Sequence, residues 1–294
     1  MAFSSVSSML DACKQSGRPL YEVILESDLA ESGLTRAESE AEMHRLWSVM
    51  CATSAGYCGA DRSMSGYAGG DAAKVAQAAG EGRLYADGYF AEVIAEALKT
   101  AECNACMKRI VAAPTAGSCG VLPAVLLPLF RAGRADEDAV CRALYVAAGF
   151  GQVVAARATL AGAEGGCQAE VGAASAMAAA ALTVLKNGTP EQAAEAFAMA
   201  LKNLMGLICD PVAGLVEIPC VKRNVIGAMN AVSAADMALA GVVGHIPADE
   251  VIDAMAEVGN AMSHELRETG IGGLAGTPTG CRIRDAVTRG FDTP

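Results

Sequence analysis

Three stretches of this chain, residues 146–163, 171–185 and 225–240, consist largely of alanine, glycine and other small apolar residues. A helix with small apolar side chains all round offers water no polar face and must be buried on every side. Three such helices predict the middle of one compact body, with amphipathic helices around them. Aromatic residues make up only 4% of the 294 residues, and convincing alternating strands are scarce, so the composition favours helices over sheets. The expected fold is all-α: one helical domain spanning 1–294, with an N-terminal helical region over 1–60 and a flexible C-terminal tail over 282–294. A chain of this length can build a sizeable core without disulfide staples.

Local signals mark individual helix starts. Thr35 followed by Glu38 is a capping-box pattern. Gly188-Thr189-Pro190-Glu191-Gln192 offers a helix stop, an N-cap threonine, a first-turn proline and a glutamine at the third position. Pro247 with Asp249 opens another helix running to about Met262.

Acidic side chains (33) outnumber basic ones (22), giving a formal net charge of −11. That excludes a nucleic-acid binder working by phosphate neutralisation. The longest uncharged stretch, 110–130, carries Pro114, Gly117, Gly120, Pro123 and Pro128. These would leave backbone groups unsatisfied in lipid, so it reads as a buried loop followed by a helix. The 171–185 run is too short to span a bilayer. No membrane segment is expected. The first ten residues lack both the basic start and the apolar run of a secretory signal. Eleven cysteines are then expected as reduced thiols of a cytoplasmic protein, most of them small buried hydrophobes and some of them metal ligands.

Chemistry concentrates in four glycine- and proline-rich breaks: Ala112-Ala-Pro-Thr-Ala-Gly-Ser-Cys-Gly120, Gly162-Ala-Glu-Gly-Gly-Cys-Gln-Ala-Glu-Val-Gly172, the segment from Gly206 to Asn224, and His264-Glu-Leu-Arg-Glu-Thr-Gly-Ile-Gly-Gly-Leu-Ala275. Cys167, Cys209 and Cys220 lie in them, but separations of 42 and 11 residues are not in themselves a metal motif. Cys103-Asn-Ala-Cys106 fits a generic ligand or redox pair better, yet has no second pair to complete a site. Arg223, Asn224 and Arg267 are candidates for gripping a carboxylate, since guanidinium groups bind carboxylates bidentately. Thr115 and Ser118 offer hydroxyls for an amine or carboxylate, or ordinary turn chemistry. Glu164 and Glu170 flank Cys167, either to orient an ammonium or to cap helices, with capping favoured for Glu170. Lys74 is a candidate base, because a lysine pKa falls on burial; His264 is a candidate proton carrier, with a purely structural role favoured.

Val111-Ala-Ala-Pro-Thr-Ala-Gly117, Gly162–Gly172, Cys209-Asp-Pro-Val-Ala-Gly214 with Ile218-Pro-Cys220 and Arg223-Asn224, Arg267-Glu-Thr269 with Gly272-Gly-Leu-Ala275, and Ser65-Gly-Tyr-Ala-Gly-Gly-Asp-Ala-Ala-Lys74 occur in the order and spacing of a known family. From about residue 60 to 281 the chain resembles the iron–sulfur-dependent L-serine dehydratases (L-serine ammonia-lyases), specifically their α subunit or catalytic domain. The resemblance implies a 4Fe–4S cluster held by Cys167, Cys209 and Cys220, with one iron left open as a Lewis acid for the serine hydroxyl. It implies loss of water to an aminoacrylate that hydrolyses to pyruvate and ammonia without pyridoxal phosphate, in amino-acid catabolism and gluconeogenesis. It also implies a late cysteine that can fill the open corner, here Cys281, although the chain continues 13 residues beyond it. Finally, it implies a smaller α+β module, expected here as a separate β subunit in a hetero-oligomer. The alternatives are a hydro-lyase or desulfhydrase for another small amino acid, or a non-catalytic iron–sulfur subunit.

Overall fold

The computed structural model describes residues 3–291, and among these every regular element is helical, apart from one isolated bridge between Cys209 and Arg267. In chain order the α-helices are α1 Val6–Ser16, α2 Leu20–Ser32, α3 Arg36–Ala55, α4 Asp71–Gly80, α5 Gly88–Ala105 and α6 Val121–Arg131. They continue with α7 Glu137–Arg157, α8 Gly162–Gly165, α9 Ala173–Leu185, α10 Pro190–Asn203, α11 Cys220–Leu239, α12 Ala248–Ala261 and α13 Pro278–Phe291.

The alanine-rich α9 is the axis. Its residues from Ala173 to Thr183 are all buried, and α6, α7, α10 and α11 pack round it. Small residues set how close these helices come. At Gly227 of α11 a Cβ would stand 2.8 Å from Val171 Cγ1 and 3.0 Å from Val121 Cγ2, so only glycine admits both valines. Polar stitches cross the same layer: Ser175 donates to the Gly227 carbonyl (2.7 Å), and Asn230 Nδ2 donates to Ser175 Oγ (2.9 Å) and the Ala200 carbonyl (2.8 Å).

Helix starts follow the local chemistry. Thr35 with Glu38 and Thr189 with Gln192 both form complete capping boxes, Pro190 opens α10, and Pro247 precedes α12. Two central helices differ from the sequence-based bounds. α7 begins at Glu137 with Asp136 capping Ala139 N–H, and it stops at Arg157, well before 163. α11 begins at Cys220, five residues early, behind Pro219. Over the expected tail, 282–294, α13 runs from Pro278 to Phe291, and 292–294 lie outside the described residues.

Two helical stretches, Glu137–Arg157 and Gln168–Leu185, are long and apolar enough to cross a bilayer, the second because a π-helical turn joins α9. Both are core helices: 67% and 83% of their apolar windows are buried within the protein.

Candidate functional site

The four glycine-rich breaks meet in space. After α8, Gly166 adopts φ +75°, and a Cβ there would collide with Met262 and the Leu207 carbonyl. Cys167 follows, and the chain enters α9 through a π-helical turn, Gln168–Gly172; such turns are rare and recur at functional sites. Gln168 ties the second break to the third and to α12. Its N–H donates to Leu207 O (2.9 Å), its Oε1 accepts from Gly206 N–H (2.8 Å), and its Nε2 donates to Met255 O (3.0 Å).

The third and fourth breaks pair as a short parallel bridge. Cys209 N–H donates to Leu266 O (2.8 Å), and Glu268 N–H donates to Cys209 O (2.6 Å). Asp210 knots the same region by accepting from Leu274 N–H (2.7 Å) and from Arg223 (2.8 Å). The first break is fastened by Asn224, buried in the first turn of α11. Its Nδ2 donates to Gly117 O (2.8 Å) and Cys220 O (2.9 Å), while its Oδ1 accepts from Gly120 N–H (2.8 Å).

Cys167, Cys209 and Cys220 are buried free thiols of this region: Cys167 and Cys209 share one small apolar cluster, and Cys220 is near enough to feel charge on Cys167. Two of the sulfurs feel the third: negative charge on Cys167 pushes up both Cys209 and Cys220. Burial is the main cause of all three shifts, raising Cys167 to about 11 and Cys220 to about 12, and raising Cys209 as well. The Arg223 guanidinium opposes this at Cys167 and Cys220.

Glu170 is the carboxylate that turns into this pocket. It accepts from the Thr115 hydroxyl and lies 3.8 Å from Cys209 Sγ. Burial raises its pKa, as does the nearby Glu268, against the hydrogen bonds from Thr115 and Cys209. Oxygen atoms of Glu170 and Glu268 and the Cys209 sulfur lie within 4.8 Å of one another. Space for Glu170 is made by glycines: a Cβ at Gly117 would stand 2.8 Å from Glu170 Oε2, and one at Gly162 only 2.3 Å from Oε1.

Other expected site residues have different surroundings. Glu164 is exposed and accepts from Thr159 (2.6 Å), so the expected order of the two glutamates is reversed: Glu170 faces the sulfurs. Arg267 spends its guanidinium on the Met262 and Asn260 carbonyls, bracing the fourth break. Arg223 is occupied by Ile208 O, Asp210 and Cys167. Thr115 and Ser118 lie 3.1 Å apart, with Ser118 fully buried. Lys74 has a side chain 75% exposed and paired with Asp71. His264 is exposed. Cys281 sits near the start of α13 with its sulfur against the Ala275 and Gly276 carbonyls. Cys103 is buried against Thr53 O, and Cys106 is the half-buried cap of α5. Sequence reasoning missed Asp210 and Gln168 as organisers and Glu268 as a neighbour of Cys209, because each acts across a fold contact without a local pattern.

The donor set suits a thiophilic group. Three buried sulfurs free of disulfides, with a guanidinium alongside to favour thiolate, match the ligand chemistry of iron–sulfur centres. Residues 15–275 match the model of the serine dehydratase alpha chain family. The chain is 45% identical to the "Probable L-serine dehydratase, alpha chain" of Bacillus subtilis over 289 residues, covering 98% of this chain and 96% of that one. It is 43% identical to the "L-serine dehydratase, alpha chain" of Peptoniphilus asaccharolyticus over 282 residues, covering 96% and 97%. It is 36% identical to the "L-serine dehydratase TdcG" of Escherichia coli over 286 residues, which is 93% of this chain but 61% of that longer one. On its sequence, its four converging breaks and these matches, the chain belongs to the serine dehydratase alpha chain family.

Proposed function

We propose that this chain is the catalytic α chain of an L-serine ammonia-lyase that converts L-serine to pyruvate and ammonia, with a 4Fe–4S cluster held by Cys167, Cys209 and Cys220. The observation that supports the reading is the nearness of three free, buried cysteines from two different loops and a helix start, Cys167 and Cys209 in one small apolar cluster and Cys220 within reach of their charge. Bound by three thiolates, such a cluster supplies one open iron as a Lewis acid for a hydroxyl that would otherwise leave poorly.

The chain's own residues do the rest. Cys220 opens the 20-residue α11, where the helix dipole favours thiolate. Arg223 adds a fixed positive charge beside Cys167, and Asp210 holds that guanidinium in place. Thr115 fixes the Glu170 carboxylate on the pocket's edge, where with Glu268 it makes an anionic wall suited to an ammonium group. With Arg223 and Arg267 already paired inside the protein, the Thr115 hydroxyl given to Glu170 and Ser118 buried against Thr115, the substrate carboxylate is left to backbone N–H groups of the first break. The partner is a separate β chain, as relatives named alpha chains suggest.

The test is anaerobic reconstitution of the α chain with iron and sulfide in the presence of its β chain. Brown protein whose visible spectrum shifts on adding L-serine, with release of pyruvate, is the expected result. Single Cys167→Ser, Cys209→Ser and Cys220→Ser variants should each lose the colour and the activity together. Brown protein indifferent to serine would instead support a non-catalytic iron–sulfur subunit.

A further inference from the structure

Glu102 is a buried carboxylate, 1% exposed, with no cation among its hydrogen-bond partners in the described residues. An uncompensated buried charge is costly unless donors surround it. Its donors are the first N–H groups of α4: Asp71 N–H to Oε1 at 2.7 Å and Ala72 N–H to Oε2 at 3.4 Å, joined by the Tyr57 hydroxyl at 2.7 Å. A residue in the last turn of α5 therefore caps another helix, using free amides and dipole that α4 cannot satisfy itself, since its N-cap is Gly70.

What α4 then holds is the start of α11. Asp71 accepts from Lys222 Nζ at 2.6 Å, with Lys74 on its other oxygen at 2.8 Å. Between Cys220 and Lys222, Val221 is buried in a small separate core with Ala68, Ala72, Leu98 and Ala101, contributed by α4, the loop before it and α5. On the other side of Cys220, Glu217 accepts from Ser65 in that same loop. Cys220 is thus gripped from both sides in sequence by one block, residues 65–72, and that block is docked on α5 through Glu102.

We propose that Glu102 is a positioning residue for Cys220, acting through the N-terminus of α4 and the Asp71–Lys222 pair. The other two sulfurs are set by different parts, Cys167 by Gln168 and Gly166 and Cys209 by the bridge to Arg267. Disturbing Glu102 therefore frees one corner of the three-sulfur pocket and leaves two in place. This rests on the proposed role of the three cysteines, but its first test does not.

The anaerobic cluster-free α chain is treated with iodoacetamide under native conditions, and the modification of Cys167, Cys209 and Cys220 is followed by mass spectrometry. Glu102→Gln keeps the size of the side chain and removes the charge. Asp71→Asn and Lys222→Met break the link at the surface and serve if Glu102→Gln does not fold. Modification of Cys220 should rise about tenfold in each variant through local opening, with Cys167 and Cys209 changing by less than about twofold. After reconstitution the same variants should hold less colour per chain and show a weaker serine-induced spectral shift. Unchanged Cys220 protection in all variants overturns the proposal, and so does an equal rise at all three cysteines, which marks general loosening. A wild-type chain that takes up no cluster, with the selective Cys220 pattern intact, would count against the iron–sulfur reading and leave the positioning role standing.

Discussion

Gly162 has negative φ and a conformation open to any residue, yet a Cβ there would stand 2.3 Å from Glu170 Oε1 and 3.0 Å from Cys209 Sγ. The requirement is one of space beside the sulfurs. Gly162→Ala should push Glu170 off Thr115 and shift Cys209, and a displacement of that size at a reacting centre costs about 10²-fold in activity. Because Gly162 opens the single-turn α8 outside the α9 core, thermal unfolding should change little. Steady-state pyruvate release and a melting curve check both halves; wild-type kcat with a much lower Tm would invert the expectation. The same residues show what was legible at this scale. Cys167, Cys209 and Cys220 were picked out because their segments carry family motifs. The inward turn of Glu170 is not legible in the sequence, because it depends on the π-helical turn that carries it and on Thr115 from another break. The surroundings of Lys74 are likewise set by the fold, in an exposed ion pair with Asp71.

Helices α3, α5 and α6 are tied together by Glu96. Burial would raise its pKa, but hydrogen bonds from Lys99, Ser54 and Arg131 outweigh that and keep its carboxyl below its ordinary value of 4.5. A depressed carboxylate contributes stability fully above its unfolded pKa and loses it as pH falls through the lower folded one. Stability should therefore drop on acidification below about pH 4.5. Glu96→Gln should cost ~2–3 kcal/mol at neutral pH, less than a fully buried pair because Arg131 is 41% exposed. The gap to wild type should narrow at low pH, as urea unfolding at several pH values would reveal; a constant gap would remove Glu96 from the acid response. Packing at Gly227 makes a second case. Gly227→Ala forces a methyl between Val171 and Val121, costing ~1–3 kcal/mol as overpacking does, and Val171→Ala added to it should recover part of that loss. Equal instability in the double variant would locate the strain elsewhere. Element starts were legible where capping is local, as at Thr35 and Thr189. The bounds of α7 and α11 were not, since small residues carry no phase and cannot mark where a buried helix ends.

Sequence matching this chain occurs in two arrangements: over most of the length of relatives called alpha chains, and over 61% of the longer Escherichia coli chain. In the longer chain whatever else is present is covalently tethered, so its effective concentration is set by the linker and does not change on dilution. A chain of the alpha type that depends on a separate β chain has no such tether, and its activity must follow mass action. Specific activity of the α–β mixture, measured anaerobically from micromolar to nanomolar protein, should fall as the dissociation constant is crossed and return when purified β chain is added back. A longer single-chain relative assayed in parallel should show a flat profile. Dilution should also speed cluster loss from the α chain, followed by bleaching of its visible absorption, if the partner shields the pocket edge where Glu268 is exposed. Should the α chain alone keep one specific activity over the whole range, the four converging breaks would suffice for the chemistry by themselves, and the β chain would have to serve some other end.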